Sequence, residues 1–333
     1  MKTERMRPYR LGGDHPQITA LSEVAYVEDH RRLGTDAHAG ASSERRMARL
    51  LALLGGIIPP LRDLYRGFVW EVDGRVIAHV QFVRVGRGGR RWSIETVMTH
   101  PDHRRRGLAR RLVGESLASI RGRGGRECVL KVREDNPNAY RLYESLGFVH
   151  YETSVHLRCD VTPDGGVVSV PGYRVRRIDP AEWFDAWKER AALMTRCSTD
   201  ATSAFATRSE ASYQRPKAVR WIAPFALRMS GRQAFIWFVE HEGRLVGTLR
   251  VFGDRAGSRP HEIDIALDPH HAEQLAAPLV DRALNALTQL PKTTVLIETG
   301  GHEACLLQAL DERGFDPVTT WHALGKELAP GAA

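Results

Sequence analysis

Two hydrophobic periods run along this chain, one of about two residues as in strands and one of three to four as in helices. Residues 68–78, Phe-Val-Trp-Glu-Val-Asp-Gly-Arg-Val-Ile-Ala, form two strand-like runs joined at Asp73-Gly74, which predicts a hairpin. A third strand is expected over 92–99. From 107 to about 120 the period changes: Leu108, Leu112, Val113, Leu117 and Ile120 fall on one face of a helix. A strand over 128–132, a helix over 136–146 ending at Gly147-Phe148, and a strand over 149–158 complete the pattern.

The same order then recurs. Tyr173-Arg174-Val175 repeats Tyr9-Arg10-Leu11, 164 residues on. Residues 235–247 repeat the hairpin at 167 to 169, Asp268-Pro269 repeats His100-Pro101 at 168, and Gly314-Phe315 repeats Gly147-Phe148 at 167. A strand over 261–267, a helix over 274–290 and a strand over 294–298 fill the second copy. A nearly constant offset indicates a tandem duplication. The turn-rich stretch 161–172 separates residues 1–160 from 173–333. Each copy is expected to hold two N-terminal helices, an antiparallel meander, and strand–helix–strand–helix–strand, with parallel pairing only across the long helix. The fold class is α/β, with an α+β mixed sheet in each of two domains.

Composition adds limits. The 333 residues are 42% hydrophobic and 26% charged, ordinary for a globular protein of two domains. The net charge of +8, carried largely by arginine, suits an anionic ligand. The longest apolar run, 50–61, is broken by Gly55, Gly56, Pro59 and Pro60 and is too short to span a membrane. No signal peptide is visible, so the cytoplasm is expected. Four scattered cysteines suggest neither disulfides nor zinc. His100, Asp102 and His103 are echoed by Asp268, His270 and His271, so a shared turn accounts for them and no metal is expected.

The chemistry is concentrated in residues 97–110, Val-Met-Thr-His-Pro-Asp-His-Arg-Arg-Arg-Gly-Leu-Ala-Arg. An apolar strand ends, three arginines follow, and Gly107 opens a helix. Loop amides and a helix N-terminus favour anions, and arginines add bidentate hydrogen bonds. Gly107 lets the backbone approach phosphates and Ala109 keeps the first turn slim. Arg104-x-x-Gly107-x-Ala109 after a strand resembles the acetyl-CoA diphosphate loop of the GNAT acetyltransferases. Residues 136–148, Asn-Pro-Asn-Ala-Tyr-Arg-Leu-Tyr-Glu-Ser-Leu-Gly-Phe, resemble a second motif of that superfamily.

The resemblance covers nearly all of both halves and implies two tandem GNAT folds. It implies acetyl-CoA as co-substrate, held by Val97, Met98 and Thr99 through their backbone, by Arg104, Arg105, Arg106, Gly107, Leu108, Ala109 and Arg110, and by Asn136. It assigns Tyr143 as general acid toward the departing thiolate, with Tyr140 as competitor; a tyrosine is protonated at neutral pH. Tyr143 also lies on a core-facing stripe with Ala139, Leu142 and Leu146. Glu95 is the one carboxylate on the strand face read as Ser93, Glu95, Val97 and Thr99, and is the candidate base. The competing readings are a salt-bridged strand glutamate near Arg91, and a water chain as base.

The second copy lacks these features. At an offset of 168, His-Arg-Arg-Arg-Gly-Leu-Ala-Arg becomes His-Ala-Glu-Gln-Leu-Ala-Ala-Pro, and Ile263, Glu303 and Leu310 stand opposite Glu95, Asn136 and Tyr143. It is read as a degenerate domain with a structural or substrate-cleft role. The expected function is acetyl transfer to a primary amine of a small molecule or peptide, by a monomer or homodimer. The alternative is a binding module: an acyl-CoA sensor, or a basic scaffold for nucleic acid. Arg121-Gly-Arg-Gly-Gly-Arg126 lacks the interleaved aromatic residues that single-strand binding uses, so nucleic acid is disfavoured. The acids Glu28, Asp29 and Asp36 read first as a solvated loop and second as an attractor of a cationic amine, the apolar stretches 50–61 and 221–225 as a cleft wall or as core, and residues 195–220 as a cap over the cleft.

Overall fold

Asp73 and Gly74 take φ of 48° and 81°, and Glu242 and Gly243 take 51° and 75°. Positive φ at both central residues is the type I′ pattern that matches strand twist, so both hairpins form where Asp-Gly and Glu-Gly stand. They join β2 (Arg66–Val72) to β3 (Arg75–Val85), and β8 (Arg232–His241) to β9 (Arg244–Asp254). The structure is a computed structural model that describes residues 3–25, 66–85, 90–160, 169–179, 182–198, 231–301 and 303–329. The expectations for 26–36, 50–61 and 221–225, and most of 195–220, lie outside these residues.

The chain divides into two units. One is Met1–Val132, Asn136–His150 and Leu324–Ala333; the other is Arg133–Asp135 and Tyr151–Ala323. The division follows the packing rather than the turn-rich stretch at 161–172. The last strand of each copy is divided: of β6 (Val149–Cys159), residues from Tyr151 on group with the second unit, and of β12 (Asp316–Glu327), residues from Leu324 on group with the first. An apolar alternation fits any sheet with a matching face, so the sequence pattern does not say which core a strand completes.

In the first unit β1 (Glu4–Pro8), β2, β3 and β4 (Arg91–Thr99) pair antiparallel in that order, and β4 pairs parallel with β5 (Glu127–Arg133) across the helix α2 (Leu108–Gly122). On one face α2 and α3 (Pro137–Ser145) close a core containing Phe82, Trp92, Leu112, Ile120, Tyr143 and Phe148. Leu324 and Leu328, from the far end of the chain, belong to that same core. Full burial of side chains of this size contributes about 1.5–3 kcal/mol each. On the other face α1 (Leu11–Ala25) packs through Leu21 over Val69, Val76 and Met98. Its start is fixed by Asp14, which receives both terminal nitrogens of Arg7 at 2.7 Å and the Arg10 amide at 2.8 Å. Arg7 also reaches Glu71 of β2 at 2.7 Å.

The second unit repeats the plan. β7 (Arg174–Arg177), β8, β9 and β10 (His261–Leu267) pair antiparallel, β10 pairs parallel with β11 (Val295–Gly300) across α5 (Ala272–Leu287), and β11 pairs antiparallel with β6. α5 and α6 (Ala304–Asp311) cover one face through Leu275, Leu279, Leu284, Leu306 and Leu310. On α4 (Trp183–Cys197), buried Arg190 binds Thr248 of β9 at 2.6 Å and pairs with Asp264 of β10, which also holds Arg250.

Candidate active site

β4 does not alternate as a plain strand. Its register against β3 slips between Gln81 and Phe82, which face Thr96 and Ile94, so Glu95 is the extra residue of a β-bulge. A bulge resets the phase of all that follows. Trp92 and Ile94 face the core under α2, and Val97 packs against that same core. Met98 instead lies with Leu21 under α1. The face read as Ser93, Glu95, Val97 and Thr99 is therefore split, with Val97 on the side opposite Met98. Glu95 is exposed. The salt bridge considered for it is made by another residue: Arg91 pairs with Glu127 at 2.6 Å, its neighbour in the parallel register.

That parallel register runs from Arg91↔Glu127 to Ile94↔Leu130 and stops, although β4 continues to Thr99 and β5 to Arg133. The strands part beyond the bulge, where Val97, Met98 and Thr99 stand. β10 and β11 also stop pairing early, at Ile263↔Ile297, so the parting of the strands is common to both units.

The difference lies in the loop that follows. In the first unit a 3₁₀ turn, Pro101–His103, is capped by His100, whose Nδ1 accepts the Asp102 amide at 3.3 Å. Arg104 is extended, Arg105 takes φ 64°, and Gly107 takes φ 74° as the N-cap of α2. A non-glycine residue in the left-handed region is uncommon and costs on the order of 1–2 kcal/mol. Gly107 supplies no side-chain cap and no acidic residue stands in the first turn, so the amides of Leu108, Ala109 and Arg110 point out of the helix without a carboxylate beside them. The space that a Cβ on Gly107 would occupy is open within 4 Å. This geometry suits an anion.

The three arginines are used differently. Arg104 Nε donates to the Thr99 carbonyl at 3.3 Å. Arg106 binds both carboxylate oxygens of Glu4, at 2.8 and 3.0 Å. Arg105 has no ion pair among the described residues. Beyond them Arg110 donates to Ser145 at the end of α3, and Arg111 lies over the Trp70 ring at 5.6 Å. Glu4 and Trp70 carried no signal in the sequence, because Glu4 is 102 residues from Arg106.

In the second unit this geometry is absent. Counted from Leu108 at the offset of 168, a matching helix would start at 276; α5 starts at Ala272, a full turn earlier. Ala272, Glu273, Gln274 and Leu275 are good helix formers and have wound the loop into the helix. Leu275 points into the core, 0% exposed. Leu275 is the residue that stands opposite Gly107 at the offset of 168.

Asn136 is the N-cap of α3, its Oδ1 accepting the Ala139 amide at 3.1 Å, which leaves its amide nitrogen for another partner. Tyr143 is 6% exposed and meets Phe148 edge to face at 5.9 Å. Tyr140 packs at the margin of the same core. His79 on β3, not singled out in the sequence, is 1% exposed, donates from Nδ1 to the Phe68 carbonyl at 3.1 Å, and is pushed down by burial to a pKa of about 4. Among the described residues no three His, Cys, Asp or Glu side chains converge as metal ligands. No described helix is long and apolar enough to cross a membrane.

The parted strands, the left-handed basic loop and the helix start together define a mixed α/β fold with an arginine-rich loop at the end of β4. Residues 42–148 match the model of the acetyltransferase (GNAT) family, so the first half of this chain carries a GNAT acetyltransferase domain. Mycothiol acetyltransferase of Thermobispora bispora is 40% identical over 154 residues, 46% of this chain and 49% of that protein. An acetyltransferase of Pectobacterium atrosepticum is 36% identical over 91 residues, 27% of this chain and 59% of that one. The chain thus spans about half the length of the curated relatives it matches. Among solved structures, a tandem GNAT protein from the clavulanic acid biosynthesis pathway matches 99% of this chain and 100% of its own at a TM-score of 0.62 and 16% identity. A GCN5-related N-acetyltransferase from Sphaerobacter thermophilus matches 99% and 97% at 0.66 and 15%. At that identity they show the fold: a tandem GNAT fold, mixed α/β, over the whole chain.

Proposed function

We propose that this chain is an acetyl-CoA-dependent N-acetyltransferase that acts on a primary amine of a small molecule or peptide. In this reading the first unit is catalytic and the second degenerate. The observation that carries it is the loop over 104–107, with two left-handed residues opening onto an uncapped helix N-terminus. The open space at Gly107 and the parting of β4 from β5 fit the cofactor. When bound, the cofactor supplies an acetyl group activated as a thioester.

The residues divide the remaining work. The backbone of Val97, Met98 and Thr99 holds the extended arm as an added strand. The amides of 107–110, with Arg104, Arg105 and Arg110, hold the diphosphate, and the Asn136 amide nitrogen steadies the arm. Glu95 at the bulge, directly or through water, takes the proton that the amine nitrogen loses on attack. The Tyr143 hydroxyl gives a proton to the departing sulfur. One proton is taken from nitrogen and one is given to sulfur. The acceptor of the mycothiol relative is not carried over, since the match spans 49% of that protein. A cytoplasmic location and a monomeric or homodimeric state belong to the same proposal.

A thiol-release assay over amines, polyamines, aminoglycosides and peptides tests it. The wild type is expected to release thiol with at least one acceptor, and Tyr143→Phe to lower kcat about a hundredfold. A variant with the full rate removes Tyr143 from the chemistry. Acetyl-CoA binding without turnover over the whole panel replaces the enzyme with a sensor.

A further inference from the structure

The first strand of the first unit reaches the loop through one carboxylate. Glu4 Oε1 accepts the Trp70 indole N–H at 2.8 Å, and the same carboxylate binds Arg106 at 2.8 and 3.0 Å. The other terminal nitrogen of Arg106 donates to His103 Nδ1 at 2.9 Å. Trp70 in turn lies under Arg111 of α2, 5.6 Å from its ring. The residue before the Gly107 cap is thereby tied on one side to β1 and on the other to the 3₁₀ turn, while its neighbour Arg105 is held at φ 64°. The second unit has a counterpart built without a carboxylate. There Tyr173, at the mouth of β7, meets Nδ1 of His271 in the equivalent turn at 2.9 Å, and no left-handed loop follows.

We propose that Glu4 is a positioning residue for the phosphate-binding loop, and that Arg106 is the brace it grips rather than a phosphate ligand. Both oxygens of Glu4 are committed to Arg106, and the two terminal nitrogens of Arg106 are turned to Glu4 and His103. Arg105, fixed in the left-handed region by the grip on its neighbour, and the amides of α2 are what the loop presents. It differs from the expectation that all three arginines contact the cofactor. It rests on the acetyl-CoA reading of the loop.

The test uses full-length Glu4→Gln, Arg106→Gln, the double variant and Arg105→Ala. Coenzyme A affinity is measured by calorimetry, and amide hydrogen exchange over 103–111 is measured in the free protein. Glu4→Gln and Arg106→Gln are each expected to raise Kd about three- to fivefold. The double variant is expected to be no weaker than either single one, because they remove the same contact. In turnover, KM for acetyl-CoA rises and kcat holds. Exchange quickens at the hydrogen-bonded amides of Arg104 and Arg111 in all three, whereas Arg105→Ala weakens binding about tenfold and leaves exchange alone. Tighter binding by Glu4→Gln, multiplied effects in the double variant, or unchanged exchange overturns the brace. A wild type that does not bind coenzyme A overturns the cofactor reading instead, and the exchange data still decide the brace.

Discussion

Arg105 occupies backbone space that suits glycine, and the chain keeps it there with Gly107 two residues on. Arg105→Gly is expected to raise stability by about 1 kcal/mol in denaturant titration while coenzyme A binding weakens, a trade that marks strain held for a ligand. His79 sets a pH dependence of its own. Burial lowers its pKa from 6.5 to about 4, so the folded chain binds fewer protons than the unfolded one. The stability tied to its neutral ring is complete above pH 6.5 and falls as pH drops toward 4, by on the order of 3 kcal/mol. His79→Gln is expected to flatten that part of the curve of urea midpoint against pH. A curve parallel to the wild type's removes His79 from it.

Two segments hold their units through specific charged and apolar contacts. At the start of α1, Asp14 pairs with Arg7; although burial raises its pKa, the hydrogen bonds from Arg7 and the Arg10 amide outweigh this and hold it below the usual carboxylate range. Asp14→Asn leaves Arg7 beside Glu71 alone and is expected to cost about 3 kcal/mol, read by thermal unfolding. At the other end of the chain, Leu324 and Leu328 close the core that holds Tyr143, and the Leu328 amide donates to the Arg126 carbonyl at 2.7 Å. Deleting 324–333 is expected to lower the unfolding temperature and to weaken coenzyme A binding with it. A truncated chain with wild-type affinity and melting shows that strand to be dispensable. The edges of these elements show what local sequence reaches. The hairpins and the helix over 108–122 were legible because turn residues and helical spacing act within a few positions. The bulge at Glu95 was not, because it is a property of β4 and β3 together.

Over the whole molecule, duplication and divergence leave two copies of one plan. Both keep the parted parallel strands and the 3₁₀ turn; only the first keeps the left-handed loop. Calorimetry on the intact chain is expected to give one coenzyme A per chain, and Gly107→Leu, which copies the second unit's residue, to abolish it. Residual binding at unchanged stoichiometry in that variant moves the site elsewhere.

The sequence by itself determined the repeat, most of the strands and helices, and the motif that places a GNAT domain in the first half, because each is written in periodicity or in adjacent residues. It also contained the decay of the second loop, since at an offset of 168 the three arginines and Gly107 give way to Ala272, Glu273, Gln274 and Leu275. The tertiary structure alone decided which core each copy's last strand enters, on which face of β4 Val97 and Met98 lie, and that Arg106 is gripped by Glu4. Those three depend on registers and side-chain contacts between segments up to 102 residues apart or more, where a local pattern is satisfied equally well by several partners.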